Sequence, residues 1–219
     1  FAAFYAHVHL AMNWQYDGAE DKEYICQRYP YLNGKWEWVA KNTEWYLRPG
    51  LTWPRRTTSA LALRAMPGGC IFADKGPAAF VEDDEPQALL ALLALTNSRA
   101  FRALVSLQLA AADAAARSYE VGVIQRTPVP ELSSDAKHQL AGLARRAWSL
   151  KRSLDNAEAT SHAFFLPALL QAEGGTLAER AAARVERVAE IGAALSQIQA
   201  EIDERCFEFY GFAAEDRAA

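Results

Sequence analysis

The segment Gly50-Leu51-Thr52-Trp53-Pro54-Arg55-Arg56-Thr57 holds the residues best suited to chemistry, two adjacent arginines behind a Trp-Pro turn. The hydroxyl residues Thr57, Thr58 and Ser59 follow them. An arginine fork bonds guanine bidentately or clamps a phosphate, and a threonine hydroxyl bonds a phosphate or a base edge. Trp53 offers a ring on which a base could stack. The competing reading is a solvated basic turn over a structural tryptophan. Other constellations are thinner. Asp17, Glu20 and Lys22 share residue types with the carboxylate-carboxylate-lysine set of metal-dependent nucleases. That set needs acids converging on Mg²⁺ from separate strands, with a lysine near the attacking water. Here the acids are close neighbours in one stretch, which reads as a turn with solvated charges. His7 and His9 fall on one face of a strand-like stretch, but no third ligand has suitable spacing. Cys26, Cys70 and Cys206 are odd in number and far apart, and read as structural thiols in a reducing compartment. There is no nucleotide-cradling glycine loop and no Gly-x-Ser-x-Gly elbow.

The elements that would carry these residues fall into two regions. Tyr5, His7, His9 and Ala11 alternate with Ala6, Val8, Leu10 and Met12, which predicts a strand ending near Trp14. Turn signals stand at Asp17-Gly18 and Asn33-Gly34, the latter between Tyr29–Leu32 and Lys35–Trp38, as in a hairpin. Further strands are expected at Glu44–Leu47, Ala60–Ala65, Cys70–Ala73, Ala78–Val81 and Tyr119–Ile124. Pro86 opens a helix to about Thr96, and Asn97 or Ser98 caps a second from Arg99 to about Ala112. Beyond Pro130 the pattern becomes helical. Ser133-Ser134-Asp135 caps a helix to about Leu154, and a break follows at Gly174-Gly175. A long helix then spaces Leu177, Ala181, Val185, Val188, Ile191, Leu195, Ile198 and Ile202 three or four apart. The expected fold is α+β: a mixed α/β domain over 1–130, then a helical hairpin over 131–219 with this seam facing another helix.

Composition bounds the class. Hydrophobic residues make up 51% and charged residues 23% of the chain, as in ordinary globular proteins. The longest apolar run, Ala88–Leu95, is far short of the roughly 20 residues that span a bilayer. No leader pattern opens the chain, so a cytoplasmic location with no membrane partner is expected. Phe1 opens it inside a strand-like pattern, which reads as a segment of a longer protein. The net charge of −4 is unevenly spread: Lys22–Lys75 holds nine Lys/Arg against four Asp/Glu, and Thr176 onward holds five against nine. Such asymmetry places a basic face on an acidic protein.

Three ordered motifs carry a family resemblance: Asn13-Trp14-Gln15-Tyr16-Asp17-Gly18-Ala19-Glu20, Tyr46-Leu47-Arg48-Pro49-Gly50-Leu51-Thr52-Trp53-Pro54-Arg55-Arg56-Thr57, and Met66-Pro67-Gly68-Gly69-Cys70-Ile71-Phe72-Ala73-Asp74-Lys75-Gly76-Pro77. With the Leu92–Arg102 helix pair around Thr96-Asn97-Ser98, the Tyr119–Pro130 segment and the Ile202–Gly211 ending, they resemble the region downstream of the catalytic domain in large adenine-specific DNA methyltransferases. These are fused restriction-and-modification enzymes and the methyltransferases of phage-exclusion (BREX) systems.

The resemblance implies a target-recognition role over 1–130, with double-stranded DNA as partner. It implies Arg48, Trp53, Arg55, Arg56, Thr57, Arg64 and Lys75 as candidate DNA-binding residues. The hairpin would brace the reader against the duplex or against the catalytic methyltransferase domain of the same parent chain. The catalytic signatures of the family, an Asn-Pro-Pro-aromatic tetrapeptide and a glycine-rich S-adenosylmethionine loop, do not occur in this sequence. S-adenosylmethionine is therefore expected as the parent's cofactor, with none in this chain and no methyl transfer by it. Two other classes remain open: an interaction module docking through the long-helix seam, and an independent nuclease.

Overall fold

The computed structural model describes residues 3–109 and 117–217. Among them are seven α-helices, 54% of the chain, and a small mixed sheet, so the class is α+β. The sheet is built from β1 (Phe4–Tyr5), β2 (Gly50–Thr52), β4 (Arg64–Met66) and β5 (Ala78–Ala79), while β3 (Arg56–Thr57) pairs separately with β6 (Arg117–Ser118). Its order is β1-β4-β2-β5. The pair β1/β4 is parallel, with Phe4 opposite Arg64, and the other pairs are antiparallel, with Leu51 opposite both Ala65 and Ala79.

The helices are α1 (Gln15–Arg28), α2 (Pro86–Thr96), α3 (Arg99–Gln108), α4 (Val121–Arg126), α5 (Ser134–Asp155), α6 (Ala168–Gln171) and α7 (Leu177–Tyr210). Their caps follow the chemistry expected of them. Glu85 accepts from the Gln87 and Ala88 amides before Pro86, and Ser98 and Ser133 accept from Phe101 and Ala136. Thr176 and Glu179 form a reciprocal capping box on α7, and Gly211, at φ +69°, ends it. The end of α3 expected near Ala112 lies outside the described residues.

The near-continuous apolar run of α2 sits between the sheet and α5, and Leu93, Ala94 and Leu95 are fully buried. One cluster of buried side chains runs from Phe4, Leu51 and Trp53 through α2 and α3 to Leu140 and Leu143 of α5 and Ile198, Ile202 and Phe207 of α7. The boundary expected near residue 130 therefore separates no two cores, and α5 packs on α2 more than on α7.

Asn97 joins these layers. Fully buried, it accepts from the Leu63 amide at 3.0 Å and donates to the Leu63 and Leu93 carbonyls at 2.9 Å each. Its own carbonyl accepts from Arg102 at 2.6 Å and from Gln199 of α7 at 3.1 Å. Asp203 of α7 accepts from the Arg99 amide at 2.8 Å. No single helix among the described residues is long and apolar enough to cross a membrane.

Several strand expectations are corrected. The N-terminal strand stops at Tyr5 instead of running to Trp14, and pairs only along β4. Asn33 and Gly34 do turn, at φ +51° and +81°, but the flanks wind into 3₁₀ turns at Pro30–Leu32 and Trp36–Trp38 rather than strands. Glu44–Leu47 gives a 3₁₀ turn at Thr43–Trp45, and Cys70–Ala73 only a bridge from Ala73 to Gly76. Tyr119–Ile124 gives no strand but leads into α4 from Val121, where Val123 is buried and Val121 stays exposed. The α7 seam is covered only from Ile191 onward; Leu177, Val185 and Val188 are exposed.

Candidate nucleic-acid interface

The Trp-Pro turn is fixed from three sides. The Trp53 ring is 1% exposed and its indole N–H donates to the Tyr119 carbonyl at 2.9 Å. The Arg55 amide donates to the Lys75 carbonyl at 3.0 Å, and the Arg55 carbonyl accepts from the Tyr119 amide at 2.7 Å. This clamp places the Arg55 side chain in a cleft of about 450 Å³, walled by Trp38, Tyr46 and Phe72 with Lys41 at its edge. Inside it the Arg55 Nε donates to Glu120 Oε2 at 2.8 Å, and Nη1 pairs with Asp74. Its hydrogen bond to Glu120 and the neighbouring Asp74 charge raise the guanidinium pKa, although burial opposes them. The Asp74 carboxyl is lowered by Lys75 and Arg55.

The segments that form this cleft also carry more exposed cations. Arg56 projects to solvent from β3, and Arg117 does so from β6, opposite Thr57 in the ladder. The Lys75 side chain is 87% exposed and touches Asp74 at 3.3 Å. Lys41 and the Trp38 ring are exposed as well. The result is one guanidinium held between two carboxylates in the cleft, exposed positive charge on the neighbouring segments and aromatic faces on the wall. Such a set suits a polyanion bearing flat rings.

The expected contact residues do not all meet here. Arg55 lines the cleft, Lys75 reaches its Asp74 wall at 3.3 Å, and Arg56 stands on the adjacent strand position, exposed to solvent. Trp53 is a core residue whose ring reaches no solvent, so it stacks on nothing outside the protein. Thr57 is 7% exposed, and its hydroxyl accepts from the Ser59 amide at 3.0 Å. Arg48 is bound bidentately to Asp84, Nε at 3.0 Å and Nη2 at 2.7 Å from Oδ1, and lies 4.6 Å over the Trp45 ring. Arg64 sits on β4, on the far side of the sheet from the cleft, and faces a different cavity.

Trp38, Lys41, Glu120 and Arg117 were not among the expected site residues. Their signals were a supposed hairpin strand, an overall charge balance, a motif read for its ending and an arginine beside an alanine run. Nothing in those patterns assigns them to one cleft.

The remaining constellations resolve into local packing. Lys22 pairs with Asp17 at 2.6 Å and lies 4.3 Å over the Trp36 ring, whereas Glu20 accepts from Asn13 at 2.8 Å. The two carboxylates therefore do not converge. A Cβ at Gly18, φ +71°, would meet the Trp14 ring at 2.6 Å, so an aromatic ring closes this turn. The His7 and His9 rings lie 5.0 Å apart, and no cluster of three His, Cys, Asp or Glu occurs among the described residues. Cys206 is fully buried and its thiol is pushed up to about 11 by desolvation. Neither the protein-family models nor the curated proteins compared with this chain give a match.

Proposed function

We propose that the chain is the DNA-recognition part of an adenine-specific (N6) DNA methyltransferase from a restriction-modification or phage-defence system, working in the cytoplasm. The observation that carries this reading is the Arg55 cleft, with a fixed guanidinium, aromatic walls and Lys41 in its lining, and with exposed Arg56, Lys75 and Arg117 on the neighbouring segments. An adenine amine inside a stacked duplex is out of reach of a methyl donor, so the base must be extruded while a second surface holds the flanking DNA. In this reading the rim cations meet phosphates and set the register. Arg55, already oriented by Glu120, is the group presented to a base edge. The S-adenosylmethionine chemistry belongs to the catalytic methyltransferase domain of the same parent chain.

The test is binding of a fluorescent duplex across a salt series. The expected result is a log-log slope of about −0.9 per phosphate neutralised, flattened by roughly one unit in Lys75→Glu and in Arg117→Glu. A chain with no duplex affinity at low salt sinks the proposal. A second reading, a protein-interaction module docking through the C-terminal helix, draws on the exposed apolar residues of α7, with Leu177 at 69% and Val185 at 71% exposure. Self-association or partner capture through this half-helix, in the absence of DNA affinity, would favour it.

A further inference from the structure

The stretch from Arg28 to Lys41 alternates cations with rings. Arg28, Tyr31, Lys35, Trp38 and Lys41 follow one another three or four residues apart, and all five are exposed. Tyr31 is 75% and Trp38 66% exposed, so neither ring belongs to the core. The three cations share the stretch with one acid, Glu37, and among the described residues none of the three is in an ion pair. Rings engage two of them: the Arg28 guanidinium lies 5.7 Å from the Tyr29 ring centroid, and the Lys35 ammonium 5.8 Å from that of Trp38.

The stretch is held from beneath. Its two 3₁₀ turns, Pro30–Leu32 and Trp36–Trp38, pack on α1. The Cys26 thiol donates to the Gly34 carbonyl at 3.6 Å, and Lys22, itself paired with Asp17, lies 4.3 Å over the Trp36 ring. Tyr29 braces Tyr31 edge-on at 6.0 Å, and Trp38 enters the wall of the Arg55 cleft beside Lys41. Rings already fixed in this way lose little conformational freedom when a partner stacks on them. A flat base can cover such a ring while its phosphate meets the neighbouring cation. Inside a duplex both faces of a base are covered by its neighbours, so the partner with faces to offer is an unpaired strand.

We propose that this stretch binds an unpaired strand of nucleic acid, with bases stacked on Tyr31 and Trp38 and phosphates met by Arg28, Lys35 and Lys41. The proposal goes beyond the duplex reading and stands without it, because Arg55, Arg56, Lys75 and Arg117 take no part.

The probes are a fluorescent oligothymidylate, an abasic strand of the same length and a blunt duplex, followed by anisotropy across a salt series and by tryptophan quenching. Oligothymidylate is expected to saturate, and to bind about tenfold or more tightly than the abasic strand. Trp38→Ala and Tyr31→Ala should each weaken it by about fivefold or more, while Trp38→Phe keeps most of the affinity and loses most of the quenching. Lys35→Gln should flatten the salt slope by roughly 0.7 unit, the single-strand value per phosphate. These substitutions lie at exposed positions, and thermal melting confirms that the variants fold. Oligothymidylate binding without duplex affinity would sink the duplex reading and leave this one standing. The proposal is overturned if oligothymidylate does not saturate at low salt, if the abasic strand binds as tightly, or if both alanine variants bind as before. It is equally overturned if anionic lipid vesicles quench Trp38 and oligothymidylate does not.

Discussion

Arg56 projects into solvent from β3, while Arg55, one residue earlier, is gripped by Glu120 and Asp74. Adjacent residues of an extended segment point to opposite sides, which is how two neighbours come to have different electrostatic roles. Alanine at Arg56 removes one free rim charge. We expect it to weaken every duplex sequence about equally and reduce the salt slope by roughly one unit, with stability changed by less than about 0.5 kcal/mol. Alanine at Arg55 removes the cation and leaves two carboxylates facing the cleft, so a larger loss of duplex affinity is expected. Lysine there should not restore it, because one ammonium cannot reproduce the fork that spans Glu120 and Asp74. Salt-dependent anisotropy of the three variants decides the matter, and wild-type affinity and slope in all of them would remove this segment from the interface. The Trp-Pro turn with its two arginines was legible as a local feature, whereas the pairing of Arg55 with Asp74 and Glu120 was not, because both carboxylates lie far along the chain. That Trp53 and Thr57 belong to the core was not, since burial depends on Tyr119 and Ser59 arriving from elsewhere. Arg48 was read as a contact because its partner Asp84 lies in a distant acidic cluster.

The helices could be read from sequence because their signals are local: Pro86 at a first position, serines at caps, apolar spacing near 3.6. The strands are two or three residues long and set by pairing across the chain, so no alternation long enough to mark them exists. For α7 the seam was legible and its coverage was not. The spacing continues evenly from Leu177 to Ile202, yet only its C-terminal part is buried, with Ile198 and Ile202 in the core while Val185 is 71% exposed. This division makes a prediction. Ile198→Asp places an unpaired charge in an apolar contact and should cost about 3–5 kcal/mol, whereas Val185→Asp should stay within about 0.5 kcal/mol. Urea melts measure both. Equal destabilisation by the two would mean that the N-terminal half of α7 is covered in solution, for instance by a second copy, and would strengthen the interaction-module reading.

At the scale of the whole molecule, the chain is tied at points far apart in sequence, and the Tyr5–Asp155 bond joins residues 150 positions apart. Asp155 ends α5, and its carboxylate gathers Tyr5 from β1, Ser161 and, at 4.0 Å, His7. Burial would raise its pKa, but the hydrogen bonds from Ser161 and Tyr5 outweigh burial and hold it below the ordinary value of 3.8. The Tyr5 hydroxyl is correspondingly pushed up to about 12 by burial and by the Asp155 bond, so it stays a donor throughout the physiological range. A carboxyl lowered in the folded state binds fewer protons than in the unfolded chain, so stability rises with pH across that interval. Its contribution is fully present above the ordinary carboxylate value and is lost as pH falls through the folded one. Asp155→Asn should cost roughly 1–3 kcal/mol near neutral pH by weakening two partly buried hydrogen bonds to a charged acceptor. It should also flatten the acid limb of stability, so that the gap between parent and variant narrows below about pH 4. Tyr5→Phe should narrow in the same way, since it removes one of the donors that keep the carboxylate charged. Urea unfolding of parent and both variants from neutral to acid pH gives the gap directly. A gap that stayed constant over that range would mean that Asp155 titrates alike in the folded and unfolded chains, and that the β1–α5 tie is not electrostatic.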